Sequence, residues 1–462
     1  MADAPPLSQA ASPSWRPAAQ TGDRRIFSLA ALVAALSFVV KASTAIRELL
    51  VAWYFGLGDP LDAYLISYAV PYFLITLIAS ALPQVFVPAY VRLRTARAGQ
   101  AAEELTGHTV LLATVLLVLL VLGIVVGAPM YLPLVGSGFS SNKLALAESL
   151  TLVLAPTLLA SVLISLAGAI LNAHDRFLAP AISPLFSTVV VVVSLILFAS
   201  SLGIYALALG VLAGTLAELA LLAALVLRQT RPLISSNPWS QPVRDLMGRF
   251  GVTLIGATLM AATVLIDQAM SSGLGSGSVA ALNYANRLVT VPLSVTAAAL
   301  GTVVLPYFSL LVSQRRWLEV QHTVRRYLLG AIVVTAPFAV VLAVFSGPIT
   351  DVLLRRGAFT IEDAVTVAGT LTALALEIPF YACVILLMRL ALALRMNAAI
   401  AVISAVNLAL NVGLNAWLSS FLGVAGIALS TSGVYACAFG LLFAATRRRL
   451  RSEIGASLST LR

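Results

Sequence analysis

Lys41, Thr44 and Glu48 fall at i, i+3 and i+7 inside an apolar run, so they share one face of a helix. Arg47, in the same run, points about 120° away from that face at 3.6 residues per turn. A charge at the bilayer centre costs about 2.5–3.5 kcal/mol on insertion scales and persists where it meets a partner or a wet cavity. The same test applies to Glu218, Asp267, Arg287, Glu377 and Arg389. Lys41 is too deep in its run to reach water easily and is expected to face a cavity. Arg47, Glu48 and Asp62 lie nearer the ends of their runs, where a long side chain can extend to the interface. Arg287 stands four residues after Asn283 in "NYANRLVTVP", so either the two face one way or Arg287 is a buried partner of Asp267. Asn407, Asn411 and Asn415 recur every four residues, which puts three amides on one helix face. That row suits hydrogen bonding between helices, a cation site or contact with a sugar.

These groups point to binding and passage rather than to bond cleavage. His108, His174 and His322 are scattered near loops and form no metal or catalytic cluster. Cys383 and Cys437 both sit in apolar runs and read as small packing residues. No phosphate-binding Gly-rich motif is present, so ATP is not expected to drive the chain directly. Energy would come from a coupling cation, Na⁺ or H⁺, or from the membrane potential.

The elements that must position these residues are membrane helices. The 462 residues are 60% hydrophobic and 10% charged, against about a quarter charged in a soluble domain. Twelve apolar stretches approach or exceed the roughly 18 residues needed to span a bilayer. They cover about 26–50, 62–90, 107–130, 144–172, 180–201, 203–228, 248–273, 278–311, 326–347, 364–394, 397–419 and 421–446. They are too long and continuous for the alternating strands of an outer-membrane barrel. Residues 1–25 read as a disordered cytoplasmic tail, 229–247 as a cytoplasmic linker and 447–462 as a basic cytoplasmic tail. The lobes are then 26–228 and 248–446.

The net charge of +10 gives no nucleic-acid motif; it follows the loops instead. With the N-terminus inside, 21 of the 28 basic residues fall on the inner side and four outside, which places both termini in the cytoplasm. The two halves also resemble each other. "GLGDPLDAYLISYA" from Gly56 matches "GLGSGSVAALNYAN" from Gly273, and "SLGIYALALG" matches "FLGVAGIALS". Six spans is an even number, so the repeats share one orientation, as in transporters that rock two bundles about a central site. The expected fold is all-α: about twelve spans in two parallel six-helix lobes around a central cavity.

Three stretches, "FGLGDPLDAYLISYAVP…QVFVPAY", "ALNYANRLVTVPLSVTAAALGTVVLPYFS" and "LLRRGAFTIEDA", resemble signatures of the MviN/MurJ-type lipid II flippases of the MOP exporter superfamily. The resemblance runs over about residues 26–446. It implies a V of two lobes around a cationic cavity. It also implies movement of an undecaprenyl-diphosphate-linked sugar from the inner to the outer leaflet of the bacterial cytoplasmic membrane. Cations in a partly wet cavity suit a diphosphate, and sugar hydroxyls cannot cross hydrocarbon unaided. On this resemblance Lys41, Arg47 and Arg287 are the substrate-binding cations, with Glu48, Asp62, Asn283 and Asn286 as cavity or gating residues.

The chain departs from the family in its second span, where an Arg pair and a Glu-Gly give way to "PYFLITLIASALPQ", and in ending after twelve spans rather than fourteen. The substrate is therefore lipid II or a related carrier-linked glycan such as an exopolysaccharide repeat unit. A non-transporting scaffold among envelope-assembly proteins, an exporter of small molecules and a membrane glycan polymerase or ligase are the other readings. The last would need a large outer loop with clustered catalytic groups, which the sequence does not contain.

Overall fold

Helices occupy nearly all of residues 20–96, 99–230, 232–233 and 240–459, the residues described by the structure, which is a computed structural model. Most of the 1–25 tail, the middle of the 229–247 linker and residues 460–462 lie outside that set. The N-terminal half holds α1 (Gln20–Phe55), α2 (Asp59–Thr95), α3 (Gly99–Val135), α4 (Ser141–Leu154), α5 (Pro156–Ala173), α6 (Leu178–Leu202) and α7 (Ile204–Leu227). The C-terminal half holds α8 (Gln241–Ser272), α9 (Ser278–Ser313), α10 (Trp317–Val344), α11 (Ser346–Leu354), α12 (Ile361–Ala375), α13 (Glu377–Ala393), α14 (Asn397–Leu422) and α15 (Val424–Ser459).

Two spans are each broken once. Ala155 separates α4 from α5, and Leu376 separates α12 from α13. Pro156 and Pro379 follow the breaks, and a proline removes a backbone donor and crowds the preceding turn. With these pairs joined and the short α11 set aside, twelve rods remain. Nine of them, among the described residues, are long and apolar enough to cross a membrane. The other three, α1, α8 and α9, run 36, 32 and 36 residues. Helices extend further than hydropathy indicated: α1 starts at Gln20, α8 at Gln241, and α15 continues through the basic segment to Ser459.

The internal repeat is written into the backbone. Gly203 before α7 has φ 54° and ψ −134°; Gly423 before α15 has φ 56° and ψ −133°. Only glycine adopts that conformation without strain.

Three apolar clusters define the shape. One draws on both halves, with Leu61, Ile66, Leu150 and Val191 packed in the same core as Val279, Ala280, Val367 and Ile427. A second belongs to α2, α3, α5 and α7, and a third to α9, α10, α13 and α15. The halves are thus fused at one end and separate at the other. α8 crosses the divide. Its first turns place Val243, Leu246 and Phe250 in the N-terminal cluster, while its last turns meet α14 through Asp267.

Close helix pairs depend on small residues, as membrane interfaces do. A Cβ on Gly214 would lie 2.6 Å from the Ser187 carbonyl oxygen, whereas one on Gly369 meets nothing within 4 Å. Gly214→Leu is therefore expected to cost about 1–3 kcal/mol by forcing α6 and α7 apart, with Gly369→Leu near neutral. Thermal melting of the purified protein in detergent checks this; equal melting points would show that the α6–α7 contact is not limiting.

Candidate functional site

The fused end is held by one buried carboxylate. Asp62, fully buried on the first turn of α2, accepts from Lys143 Nζ at 2.9 Å, from the Gly277 N–H at 2.7 Å and from the Ala280 N–H at 2.9 Å. The latter two are among the orphan donors at the start of α9, where a negative charge is favoured. Asp59 accepts from Lys143 at 2.6 Å and from Ser276 at 2.7 Å. Lys143 also stands 4.1 Å over the Phe139 ring. Gly277 has φ 78°, and a Cβ there would lie 2.5 Å from the Leu57 carbonyl oxygen, so glycine is required twice over. Ser272 Oγ donates to the Val135 carbonyl at 2.9 Å, and the Ala358 N–H donates to the Trp53 carbonyl at 2.8 Å. Every one of these bonds joins the N-terminal half to the C-terminal half, except those from Lys143 itself.

Beneath this latch lies a chamber of about 220 Å³ walled by α1, α2, α7 and α9. Arg47, Glu48 and Arg287 meet in it. Arg47 donates to Glu48 Oε1 at 2.7 Å, and Arg287 approaches the same oxygen at 3.8 Å. One acid thus holds two guanidiniums close together, one from each half. α1 is unbroken around Ser43 and Thr44, whose hydroxyls both donate back to the Val40 carbonyl. Arg47 reaches the chamber because its side chain is long, not because the helix is interrupted. Arg287 does not pair with Asp267, as one reading of the sequence had it; Glu48 takes that place.

Tyr64, Tyr68 and Tyr72 line the same chamber at i, i+4 and i+8 of α2. Successive ring centroids are 6.1 and 5.7 Å apart. Tyr72, Asn283 and Arg287 also border a second chamber of about 460 Å³, so the two adjoin. Asn283 bonds its own helix at the Val279 carbonyl, and Asn286 lines the larger chamber. Lys41 stands apart, two turns before Glu48. It is exposed and donates to Ser294 on α9 at 2.9 Å, two turns after Arg287.

The larger chamber is acidic on the C-terminal side. Asp267 Oδ1 accepts from Asn411 at 3.0 Å and from Asn415 at 2.6 Å, and its Oδ2 accepts from Thr431 at 3.4 Å. Ser430 donates to the Asn415 amide oxygen. The amide oxygens of Asn407 and Asn411 and one oxygen of buried Glu377 have no hydrogen-bond partner. Two members of the asparagine row therefore join helices, and the third faces the chamber wall. Among the described residues no group of three or more His, Cys, Asp or Glu gathers for a metal ion.

Elsewhere Glu218 is buried and accepts from Ser183 at 2.8 Å. His108 corrects the sequence reading of loop histidines: it is fully buried in α3. His174 meets Tyr90, and His322 is exposed on α10. Both cysteines are free thiols. Sequence reasoning missed Lys143, Asp59 and Ser276, although "GDPLD" and "SSNK" mark the helix starts that carry two of them. It also passed over the tyrosines, whose four-residue spacing in "YLISYAVPY" was legible.

A family model described as lipid II flippase MurJ matches residues 51–461. The probable lipid II flippase MurJ of Synechocystis sp. is 28% identical over 440 residues, covering 92% of this chain and 82% of that protein. The Burkholderia cenocepacia lipid II flippase MurJ is 29% identical over 350 residues, covering 73% and 68%. Among solved structures, a lipid II flippase MurJ in an inward closed conformation aligns with TM-score 0.78 and 22% identity, covering 93% of this chain and 91% of that one. An inward-facing MATE multidrug transporter of the MOP superfamily aligns with TM-score 0.76 and 14% identity, covering 92% and 99%. Both structures share the fold.

Asp62→Ala is expected to open the latch, because removing one partner of a buried ion pair costs about 3–5 kcal/mol. A cysteine placed at Ala280, in a background lacking Cys383 and Cys437, reports it by maleimide labelling. Labelling should accelerate more than tenfold with Asp62→Ala; an unchanged rate would show that the latch does not hold that end closed.

Proposed function

The chain belongs to the MurJ lipid II flippase family, and on that premise we propose that it moves a polyprenyl-diphosphate-linked envelope glycan, lipid II first among them, from the inner to the outer leaflet by alternating access. The observation that carries this reading is the convergence of Arg47 and Arg287, from opposite halves, on one chamber. Guanidiniums present planar forks suited to phosphate oxygens. Glu48 lets them approach each other without substrate. A diphosphate arriving there competes with that carboxylate and gains charge-assisted bonds from both halves at once.

Loop charge gives the direction. With both termini cytoplasmic, the latch end faces outward, and the end where the apolar clusters separate faces the cytoplasm. The substrate then enters from the inner leaflet with its headgroup between the lobes and its polyprenyl tail in lipid. Release to the outer leaflet requires the Asp62 bonds to part.

Asp267 and its amides are the proposed coupling-cation site. A bound Na⁺ or H⁺ would supply positive charge to a carboxylate that otherwise rests on neutral donors. The unpartnered oxygens of Asn407, Asn411 and Glu377 fit such a cation. Asp267 and Asn411 line the same chamber as Arg287, so charge at one bears on the other.

The test is replacement of the lipid II flippase in a bacterium that depends on one. Growth should be restored by this chain and lost with Arg47→Ala or Arg287→Ala at equal membrane abundance. Rescue indifferent to both arginines overturns the binding roles. No rescue, together with loss of an extracellular polysaccharide when the native gene is deleted, favours the exopolysaccharide unit. For the cation, saturating Na⁺ at a hundredfold above Kd should add about 2.7 kcal/mol of stability, visible as a higher melting point than in choline. Asp267→Asn should abolish that increment; if it persists, the cation lies elsewhere.

A further inference from the structure

α2 and α9 are equivalent helices of the two halves. Tyr64, Tyr68 and Tyr72 on α2 line the chamber that Asn283 and Arg287 on α9 also line. The two walls have diverged: one is an aromatic row, the other polar and cationic. Three tyrosines at helical spacing would be ordinary packing if the neighbouring half covered them. Tyr64 is close to that condition, at 8% exposed, but Tyr72 is 45% exposed on the chamber wall. Below Tyr72 the wall continues through Phe73 and Thr76, within the stretch that lacks the arginine pair of the family. Added positive charge is therefore not what this wall offers.

A second, independent feature lies opposite. Tyr284 is 4% exposed and lines the smaller chamber, its ring edge-on to Phe359 at 5.7 Å. Its hydroxyl has no hydrogen-bond partner. A buried hydroxyl without a partner is destabilising, so a ligand oxygen in the chamber would relieve it.

The ligand these features suit has a flat apolar face and a rim of hydroxyls. A pyranose ring fits that description: its axial C–H bonds carry slight positive charge and lie well on the negative face of an aromatic ring. Its hydroxyls then point outward to amides, guanidiniums and phenols. A diphosphate alone has no use for the tyrosines.

We propose that Tyr68 and Tyr72 form a sugar-stacking rail, with Tyr284 as a rim hydrogen-bonding group, that selects the saccharide next to the diphosphate. This rests on the flippase reading above and adds to it. The arginines hold the diphosphate, which all such lipids share. The aromatic wall discriminates the sugar, so specificity and charge recognition rest on different side chains of the same chamber.

The test uses the full-length protein in lipid nanodiscs with two probes, lipid II and undecaprenyl diphosphate without sugar. Wild type should bind lipid II on the order of tenfold more tightly than the sugarless lipid. Tyr68→Leu/Tyr72→Leu should erase most of that difference while binding the sugarless lipid as before. Tyr68→Phe/Tyr72→Phe, which keeps the ring faces, should retain most of it. Tyr72→Leu alone, at the more exposed position, should give a partial loss and guards against misfolding of the double variant. Arg287→Ala should weaken both probes alike. The rail is refuted if the leucine variants weaken both probes equally or leave lipid II binding unchanged. A wild-type chain that captures neither probe instead sinks the flippase reading, and the rail with it.

Discussion

A carboxylate sealed from water cannot remain charged without donors, and Asp62 meets that demand from two halves of the molecule. Lys143 supplies one donor and the first turn of α9 supplies two. Because the partners come from both lobes, satisfying the ion is the same act as closing the chamber beneath it. The shared apolar core around Leu61 and Ala280 follows from that closure. Asp62 thus behaves as a switchable constraint: its two bonds to α9 are made or broken with the position of one lobe, while the Lys143 bond stays within the N-terminal half.

The chamber below obeys the same rule with different partners. Two guanidiniums near one another would repel in a poorly hydrated site. Glu48 removes most of that cost by lying between them. The site is then attractive to an anion but not dependent on one. Lys41 answers to a different neighbour, Ser294, and extends the α1–α9 contact by two turns rather than adding a third cation to the chamber.

How much of this was legible in the sequence depends on the range of each interaction. The spans and the repeat were readable because hydropathy and glycine act within a few residues; the breaks at Ala155 and Leu376 were not read, although Pro156 and Pro379 follow them. The intramembrane charges were readable as candidates because their cost is intrinsic. Their partners were not, since Asp62 meets Lys143 and Gly277 far along the chain and no local signal links them. Arg47 shows a second limit. Helical angles give the direction of Cβ, but six further atoms of side chain can return to the neighbouring face. His108 shows a third: its proximity to a loop in sequence said nothing of α8 and residue 233 packing over that end of α3.

α8 has its first turns embedded in one lobe and its last turns bonded to the other. Such a helix is a lever with both ends clamped. When the lobes rock, it cannot move as a rigid rod with either of them; it must flex or pivot between Phe250 and Asp267. Torque applied at its first turns is therefore delivered to the carboxylate near the far end. The bonds of Asp267 to Asn411 and Asn415 fasten that joint to α14, so the lobes exchange positions only as α8 bends between its two anchorages.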